Sequence, residues 1–152
     1  MTEGRKVLPA YAGDEPYVFI SYAHKNSDRV LAVVDELVRR GYRVWYDEGI
    51  MPGEAWDNSI ADRLKGCRCF IGFLSKEYLE STNCRDELSM ARNTRRCMAL
   101  VYLEDLTLTP GMQMRYNRLQ ALFLHKTEPE DFYRKLAEMD GMADAKAVKN
   151  GG

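Results

Sequence analysis

The sequence contains neither of the common glycine-rich phosphate-binding motifs. No GxGxxG and no GxxxxGK[ST] pattern occurs in its 152 residues, which argues against a dinucleotide-binding Rossmann site and against a P-loop nucleotide hydrolase. No pair of aspartates follows the first predicted strand, which argues against response-regulator phosphotransfer. The two histidines, His24 and His125, lack Cys or carboxylate neighbours at ligand spacing, so no metal site is expected.

The chain also lacks an excess of either charge and any long apolar segment. Its 22 Lys and Arg residues nearly balance 23 Asp and Glu residues, unlike the basic excess of nucleic-acid-binding proteins. The longest apolar runs, Cys69–Leu74 and Met98–Leu103, are too short to span a membrane. Met1–Glu15 has no apolar signal-peptide core. We therefore expect a cytoplasmic protein with reduced cysteines and no direct nucleic-acid or membrane partner.

What the sequence does contain is a regular alternation of strand and helix patterns. Runs of β-branched, aromatic and other apolar residues predict strands, and apolar residues at helical spacing follow most of them. This alternation predicts right-handed βαβ crossovers and an α/β fold, a flavodoxin-like three-layer sandwich with a five-stranded parallel sheet flanked by helices. The predicted strands are Tyr17–Tyr22, Tyr42–Asp47, Cys67–Ser75, Cys97–Leu103 and Leu119–Leu124.

The pattern predicts a single folded domain with loose ends. The domain is expected over residues 16–140, because the strand and helix signals fall within it. Residues 1–15 are expected to form a flexible lead-in. Residues 141–152, which are small and polar, are expected to form a disordered tail.

Several element boundaries are predicted from single residues. Gly41 is placed to end the first helix, and Asn83 is a plausible break in the helical stretch after the third strand. Thr127 and Glu130 have the spacing of a capping box at the start of the last helix. Residues 104–118 are poorly patterned, so no helix is predicted over all of them.

The predicted sheet also indicates where a ligand would bind. In open parallel sheets, ligands bind beyond the carboxyl ends of the strands. Four segments follow the first four predicted strands and are the candidates: Ser21–Asn26, Asp47–Trp56, Ser75–Glu87 and Leu103–Leu108.

Three segments resemble one family in their order and spacing. They are Tyr17–Tyr22, Trp45–Trp56, and Phe70–Ser75 followed by Tyr78, Ser81, Cys84, Glu87 and Leu88. They resemble, in turn, the first strand, the second strand with its following loop, and the third strand with its following helix of a TIR domain (Toll and interleukin receptor type). The resemblance covers Pro16–Met139 and is closer to stand-alone prokaryotic members than to animal receptor tails.

The resemblance implies an enzymatic activity. Some TIR domains cleave NAD+ between nicotinamide and ribose, giving nicotinamide and ADP-ribose or a cyclic isomer, with NAD+ as substrate and no cofactor. Enzymatic members use a glutamate on the helix after the third strand, and Glu87, three residues after Cys84, matches it. From the residues alone, without the resemblance, the favoured interpretation of Glu87 is a surface carboxylate near a helix N-terminus.

One carboxylate is sufficient for this reaction. Nicotinamide leaves a pyridinium as a neutral molecule, so no general acid is needed. The ribosyl centre passes through an oxocarbenium-like transition state, as in glycoside hydrolysis. A fixed anion beside that developing cation stabilises it electrostatically.

Further site residues follow from position and from the resemblance: Ser21, Tyr22 and Asp47 lie at the ends of predicted strands, and Trp45 and Asn83 match positions that line the substrate pocket in similar enzymes. The expected substrate-binding residues are Ser21, Tyr22, Trp45, Asp47 and Asn83. Each of three residues also has an ordinary structural role as its alternative. Trp45 would pack in the core, Asp47 would form a turn at the strand end, and Asn83 would cap the N-terminus of a helix. Asn83 also departs from the family, because many enzymatic members carry a Trp there. Either Trp45, Tyr22 or Tyr46 supplies the aromatic wall instead, or the activity is low or absent.

The resemblance implies regulation by self-association as well. The loop after the second strand is expected to complete the pocket of a neighbouring copy through Gly49, Ile50, Met51, Pro52, Gly53 and Trp56. The expected partners are NAD+, other TIR domains in a homo-oligomer or filament, and a fused or separate sensor or effector domain. Antiphage defence is the expected setting. The alternative is a non-enzymatic TIR–TIR scaffold, which Asn83 favours.

Overall fold

The computed structural model describes residues 11, 13, 15–46, 58–94, 97–116, 119–139 and 141–146, the side chains of 58 and 59 excepted. Strands and helices alternate along this part of the chain. No helix in the described part is long and apolar enough to cross a membrane. The elements are β1 Val18–Ser21, α1 Ser27–Arg39, β2 Val44–Tyr46, α2 Asn58–Gly66, β3 Cys69–Leu74, α3 Lys76–Glu80, α4 Thr82–Thr94, β4 Cys97–Tyr102, α5 Pro110–Tyr116, β5 Gln120–Phe123 and α6 Pro129–Ala137.

The five strands form one parallel sheet in the order β2-β1-β3-β4-β5. This is the flavodoxin-like order, so the predicted fold class is confirmed. The chain moves outward from β1 to β2 and then returns to β3 on the other side of β1. The switch point of the topology therefore lies between β1 and β3, and sheets of this class bind ligands at the carboxyl ends of the strands at such a point.

Each face of the sheet is covered by its own apolar cluster. On one face, α1 and α6 pack against the sheet, with Val34 and Phe132 buried. On the other face, α2 and α4 pack against it, with Leu64 and Leu88 buried. Alternate residues of β1 divide between the two clusters, as the two-residue period of a strand requires.

The predicted end of α1 is confirmed at Gly41. This glycine has a φ of 100°, in the left-handed region that favours glycine. Its N–H donates to the carbonyl of Val38 at 3.0 Å, and the N–H of Tyr42 donates to the carbonyl of Leu37 at 3.0 Å. These two bonds form a Schellman motif, which satisfies carbonyls left open at the helix end.

Two other boundary predictions are wrong. The break between α3 and α4 falls at Ser81 rather than Asn83, and the Ser81 hydroxyl accepts the N–H of Cys84 at 3.2 Å. The capping box at Thr127 does not form, because its hydroxyl donates to the carbonyl of Phe123 at 2.6 Å. Pro129 instead supplies the first residue of α6, where its fixed φ and missing N–H are compatible with the helix.

The structure adds ordered segments at places where the sequence pattern is weak. A short helix, α5, occupies part of residues 104–118. At the C-terminal end, Met142 and Ala145 are fully buried, and Lys146 bridges to Tyr42. Residues 141–146 therefore pack on the core, in contrast to the predicted tail. Tyr11, from the predicted lead-in, donates its N–H to the carbonyl of Val44 at 2.8 Å.

Candidate functional site

The switch point of the sheet holds a buried carboxylate. Glu87, on α4, is only 8% exposed, and Ser21, the last residue of β1, is 1% exposed. The Ser21 hydroxyl donates to Glu87 Oε1 at 2.5 Å. This contact between β1 and α4 thus places the carboxylate where ligands bind in this fold class.

A second hydroxyl supports this contact. The Tyr78 hydroxyl lies 2.8 Å from Ser21 Oγ. Since the single hydrogen of Ser21 is donated to Glu87, Tyr78 is the donor to Ser21. Burial raises the pKa of Tyr78 well above its ordinary value, and the neighbouring Cys84 and Glu87 raise it further, so Tyr78 remains a neutral phenol that can donate. The result is a hydrogen-bonded chain from Tyr78 through Ser21 to Glu87.

A glycine beside Ser21 makes room for this chain. Gly72 on β3 is the register partner of Ser21 on β1. A Cβ at Gly72 would lie 3.2 Å from the Tyr78 hydroxyl and 3.2 Å from the Phe70 ring, closer than side chains normally pack. The absence of a side chain at this position therefore lets the Tyr78 hydroxyl approach Ser21.

The local sequence fixes Tyr78 and Glu87 on their helices. The Ser75 hydroxyl accepts the N–H of Tyr78 at 3.0 Å and so caps the start of α3. On α4, Cys84, Glu87, Leu88 and Ala91 form the buried stripe, which has the spacing of one helix face. The alternative interpretation of Glu87 as a surface carboxylate is wrong, because it belongs to this buried stripe.

A separate polar cluster joins the β1–α1 connection to α3. The Ser75 hydroxyl donates to Asn26 Oδ1 at 2.7 Å, and Asn26 Nδ2 donates to Glu77 Oε1 at 3.3 Å. The Glu77 backbone N–H, together with Asn26, lowers the pKa of the Glu77 carboxyl. Asn26 and Ser75 are buried. These bonds hold the carboxyl ends of β1 and β3 in a fixed relation.

The structure divides the other predicted site residues between the two faces. Trp45 is half-buried and stacks on Phe19 with ring centroids 5.0 Å apart, on the same face as α4. Tyr22 and Tyr46 are buried in the cluster on the opposite face, and Tyr22 stacks on His24. The structure therefore does not bring Tyr22 or Tyr46 to the α4 face, and Trp45 is the aromatic candidate left on it.

The remaining predicted residues fall into two groups. Asn83 is half-buried and lies one helical turn before Glu87 on α4, a spacing that places the two on adjacent parts of the helix surface. It does not cap α4, since Ser81 does so. Asp47 and the loop residues Gly49, Ile50, Met51, Pro52, Gly53 and Trp56 lie outside the described residues.

The cysteine nearest to the site is not an activated nucleophile. Cys84 is 5% exposed, and burial raises the pKa of its thiol to about 12. The thiol is therefore protonated at neutral pH, whereas the reactive form of cysteine is the thiolate. In the described part of the chain, no group of three or more His, Cys, Asp or Glu side chains could hold a metal ion.

Comparison with known proteins decides the family. A family model described as the TIR domain matches residues 18–137. The chain belongs to the TIR domain family. The match covers all eleven strands and helices described above. Among curated proteins, no sequence match is found for this TIR domain.

Solved structures share the fold of this TIR domain at low sequence identity. The TIR domain of the Toll-related receptor TRR-2 from Hydra magnipapillata has a TM-score of 0.65 and 18% identity, over 78% of this chain and 93% of that chain. The TIR domains of the activated Roq1 resistosome have a TM-score of 0.62 and 14% identity, over 81% of this chain and 98% of that chain. The CMP N-glycosidase BcmB from Clostridium botulinum has a TM-score of 0.55 and 16% identity, over 79% of this chain and 96% of that chain.

Two residues of the candidate site in this TIR domain, Tyr78 and Gly72, were not predicted from the sequence as site residues. Tyr78 was noted only as part of the resemblance, and Gly72 was not noted individually. The pattern explains both without a site, because a glycine can lie in a strand such as β3 and a buried tyrosine in a helix such as α3. The available signal was the strand-end serine Ser75 followed three residues later by a tyrosine, which indicates a capped helix with Tyr78 in its first turn. That signal gives no indication of the partner of Tyr78, which lies 57 residues away in sequence.

Proposed function

We propose that this TIR domain cleaves NAD+ at the bond between nicotinamide and ribose. The observation that carries the proposal is the Glu87 carboxylate, buried at the switch point of the sheet and held by Ser21 at 2.5 Å. By the sequence resemblance, Glu87 also matches the position at which enzymatic members of the family carry their glutamate. Membership of the family supports the proposal further.

In the proposed reaction, Glu87 acts as a fixed anion. As the bond from C1′ of ribose to the pyridinium nitrogen breaks, its electron pair passes to that nitrogen, and nicotinamide leaves uncharged. Positive charge then develops on the ribosyl centre, where a nearby carboxylate stabilises it. Attack by water gives ADP-ribose after loss of a proton, and attack by a nucleophile within the same molecule gives a cyclic isomer.

Burial makes the carboxylate effective for this purpose. The attraction between opposite charges is stronger in a site of low dielectric constant than in water. The bond from Ser21 fixes one oxygen of Glu87 before substrate arrives, so little reorganisation is needed when charge develops. Trp45 on the same face and Asn83 one turn earlier on α4 are the proposed substrate contacts.

Two of the similar structures are consistent with this function. The Clostridium botulinum protein is an N-glycosidase that acts on CMP, and the proposed reaction also breaks an N-glycosidic bond. The Roq1 TIR domains belong to an activated resistosome, which supports the proposal that this TIR domain works in an assembly. We propose that self-association completes the site and that activity per molecule rises with protein concentration.

The substitution Glu87→Gln tests the catalytic role. Gln has nearly the same size and keeps an oxygen that can accept the Ser21 hydroxyl, but it removes the charge. We expect nicotinamide release from NAD+ to fall by about 100-fold or more. Release is measured by chromatography over a series of protein concentrations. Glu80→Gln is the matched control, because Glu80 is exposed at the end of the neighbouring helix α3.

Two results would contradict the proposal. Equal nicotinamide release by the parent protein and Glu87→Gln would remove Glu87 from the reaction. The absence of release at every protein concentration, with self-association detected by sedimentation, would favour the second candidate, a non-enzymatic TIR–TIR scaffold. The observation in favour of that candidate is Asn83, which stands where many enzymatic members carry a Trp.

A further inference from the structure

A positively charged groove lies between α4 and α5, apart from Glu87. Its volume is about 310 Å³, at the lower end of the range for small-molecule sites. Six polar or charged residues and one tyrosine line it: Thr82, Arg85, Asp86, Ser89, Arg92, Arg115 and Tyr116.

The charge of the groove is the first indication of its ligand. Arg85, Arg92 and Arg115 are exposed and line the same groove. Within the part of the chain that the structure describes, none of the three has a salt-bridge partner. Against the single carboxylate of Asp86, three guanidinium groups leave an excess of positive charge around the cavity, which favours an anionic ligand. Guanidinium groups also match phosphate geometry, to which they can donate two parallel hydrogen bonds.

The other lining groups indicate a phosphate ester with a polar organic part. The Thr82 and Ser89 hydroxyls can donate to phosphate oxygens. Asp86 is exposed in the same groove and can only accept hydrogen bonds when ionised. A carboxylate of this kind can accept hydrogen bonds from ribose hydroxyls. It would repel a ligand that placed a carboxylate of its own beside Asp86. Tyr116, 9% exposed, offers a ring that is fixed by packing in the core.

The groove is distinct from the Glu87 site. On α4, its residues Thr82, Arg85, Asp86, Ser89 and Arg92 follow helical spacing along one face. The stripe that contains Glu87 and Leu88 faces the sheet instead. One helix therefore carries the candidate catalytic carboxylate on its inner face and the arginines on its outer face.

We propose that this groove binds a nucleoside diphosphate. Three arginines and one aspartate give the lining a net charge of two positive units, which suits a diphosphate. In the bound state the arginines and hydroxyls contact the diphosphate, and Asp86 contacts the ribose. This second site does not depend on the proposed NAD+ cleavage.

Calorimetric titration with ADP tests the proposal, with adenosine as the comparison that lacks phosphate. We expect ADP to bind and adenosine not to bind. Arg92→Ala and Arg115→Ala should each weaken ADP binding by about tenfold, the typical effect of losing a charge-assisted hydrogen bond. Arg39→Ala, which removes an exposed arginine from α1, should leave the affinity unchanged. Amide NMR shifts on ADP addition should fall on Ser89, Arg92, Arg115 and Tyr116, which line the groove, and not on Ser21.

Two results would overturn the proposal. If ADP shifts only amides near Ser21 and Glu87 and the groove variants bind normally, ADP occupies the candidate catalytic site alone. If ADP does not bind at millimolar concentration and the groove variants self-associate less, the arginines contact a second copy of the chain. Because ADP contains no nicotinamide, both results are independent of whether the protein cleaves NAD+.

Discussion

Two parts of one face of the sheet differ sharply in chemistry. In the amino half of the strands, Phe19 stacks on Phe70 and on Trp45, with ring centroids 5.6 and 5.0 Å apart. Two residues further along β1, on the same face, Ser21 bonds to Tyr78 and Glu87. The first group is an apolar stack, and the second is a hydrogen-bonded chain that ends in a buried carboxylate.

This difference separates the rings that mainly stabilise the fold from the candidate catalytic carboxylate, with Trp45 as the one member of the stack that is also a proposed substrate contact. Burial of aromatic rings stabilises a fold, whereas burial of a carboxylate carries a desolvation penalty that its hydrogen bonds only partly offset. In the described part of the chain, the buried polar or charged residues are Ser21, Asn26, Ser75 and Glu87. They all come from the carboxyl edge of the sheet or contact it. The protein therefore carries this penalty at the edge where its fold class binds ligands.

Phe70→Ala is expected to have the largest effect on stability. Phe70 is completely buried and lies in the aromatic stack, so its removal leaves a cavity that the rigid sheet cannot close. We expect the free energy of unfolding in urea to fall by about 3–5 kcal/mol. Nicotinamide release by the folded protein should fall less than in Ser21→Ala, because Phe70 has no hydrogen-bonding group that could hold Glu87. Phe123→Ala is the control. Phe123 is 38% exposed, and its loss should cost about 1 kcal/mol or less.

Ser21→Ala is expected to lower nicotinamide release strongly and the free energy of unfolding only slightly. Glu87 loses the donor to Oε1, and the Tyr78 hydroxyl loses its acceptor. We expect nicotinamide release to fall by about ten- to a hundredfold, as when a group that orients a functional side chain is removed. The free energy of unfolding should fall by only about 1–2 kcal/mol.

Ser27→Ala is the control for the loss of a serine hydroxyl at this edge of the sheet. Ser27→Ala removes a hydroxyl that donates to the carbonyl of His24 at 2.6 Å, at the same edge of the sheet but outside the Glu87 chain. It should leave nicotinamide release unchanged. If Ser21→Ala retained full activity while Ser27→Ala lost it, the assignment of function to the Tyr78–Ser21–Glu87 chain would be wrong.

The fold could be predicted from the sequence because its signals are local. Each strand is a short run of β-branched or apolar residues, and Gly41 terminates α1 through its own backbone conformation. The capping box at Thr127 failed because two local signals compete there. Pro129 fixes the start of α6, and the Thr127 hydroxyl bonds backward to Phe123 instead.

The site could be predicted only in part, because its contacts join distant parts of the chain. Glu87 was found through the resemblance, and Ser21 through its place at a strand end. Their hydrogen bond joins residues 66 positions apart, and no pattern along the chain indicates it. The alternation of β1 does place Tyr22 and Ser21 on opposite faces. That rule alone could have excluded Tyr22 from the Glu87 side.

Tyr17→Phe is the smallest expected effect and tests the amino end of the same strand. The Tyr17 hydroxyl donates to the carbonyl of Arg63 near the end of α2 at 2.5 Å. Without this bond, the free energy of unfolding in urea should fall by about 1 kcal/mol. Nicotinamide release should not change, because this hydroxyl lies at the end of the sheet opposite to Glu87. A loss of activity as large as that of Ser21→Ala would show that both ends of the sheet serve the reaction.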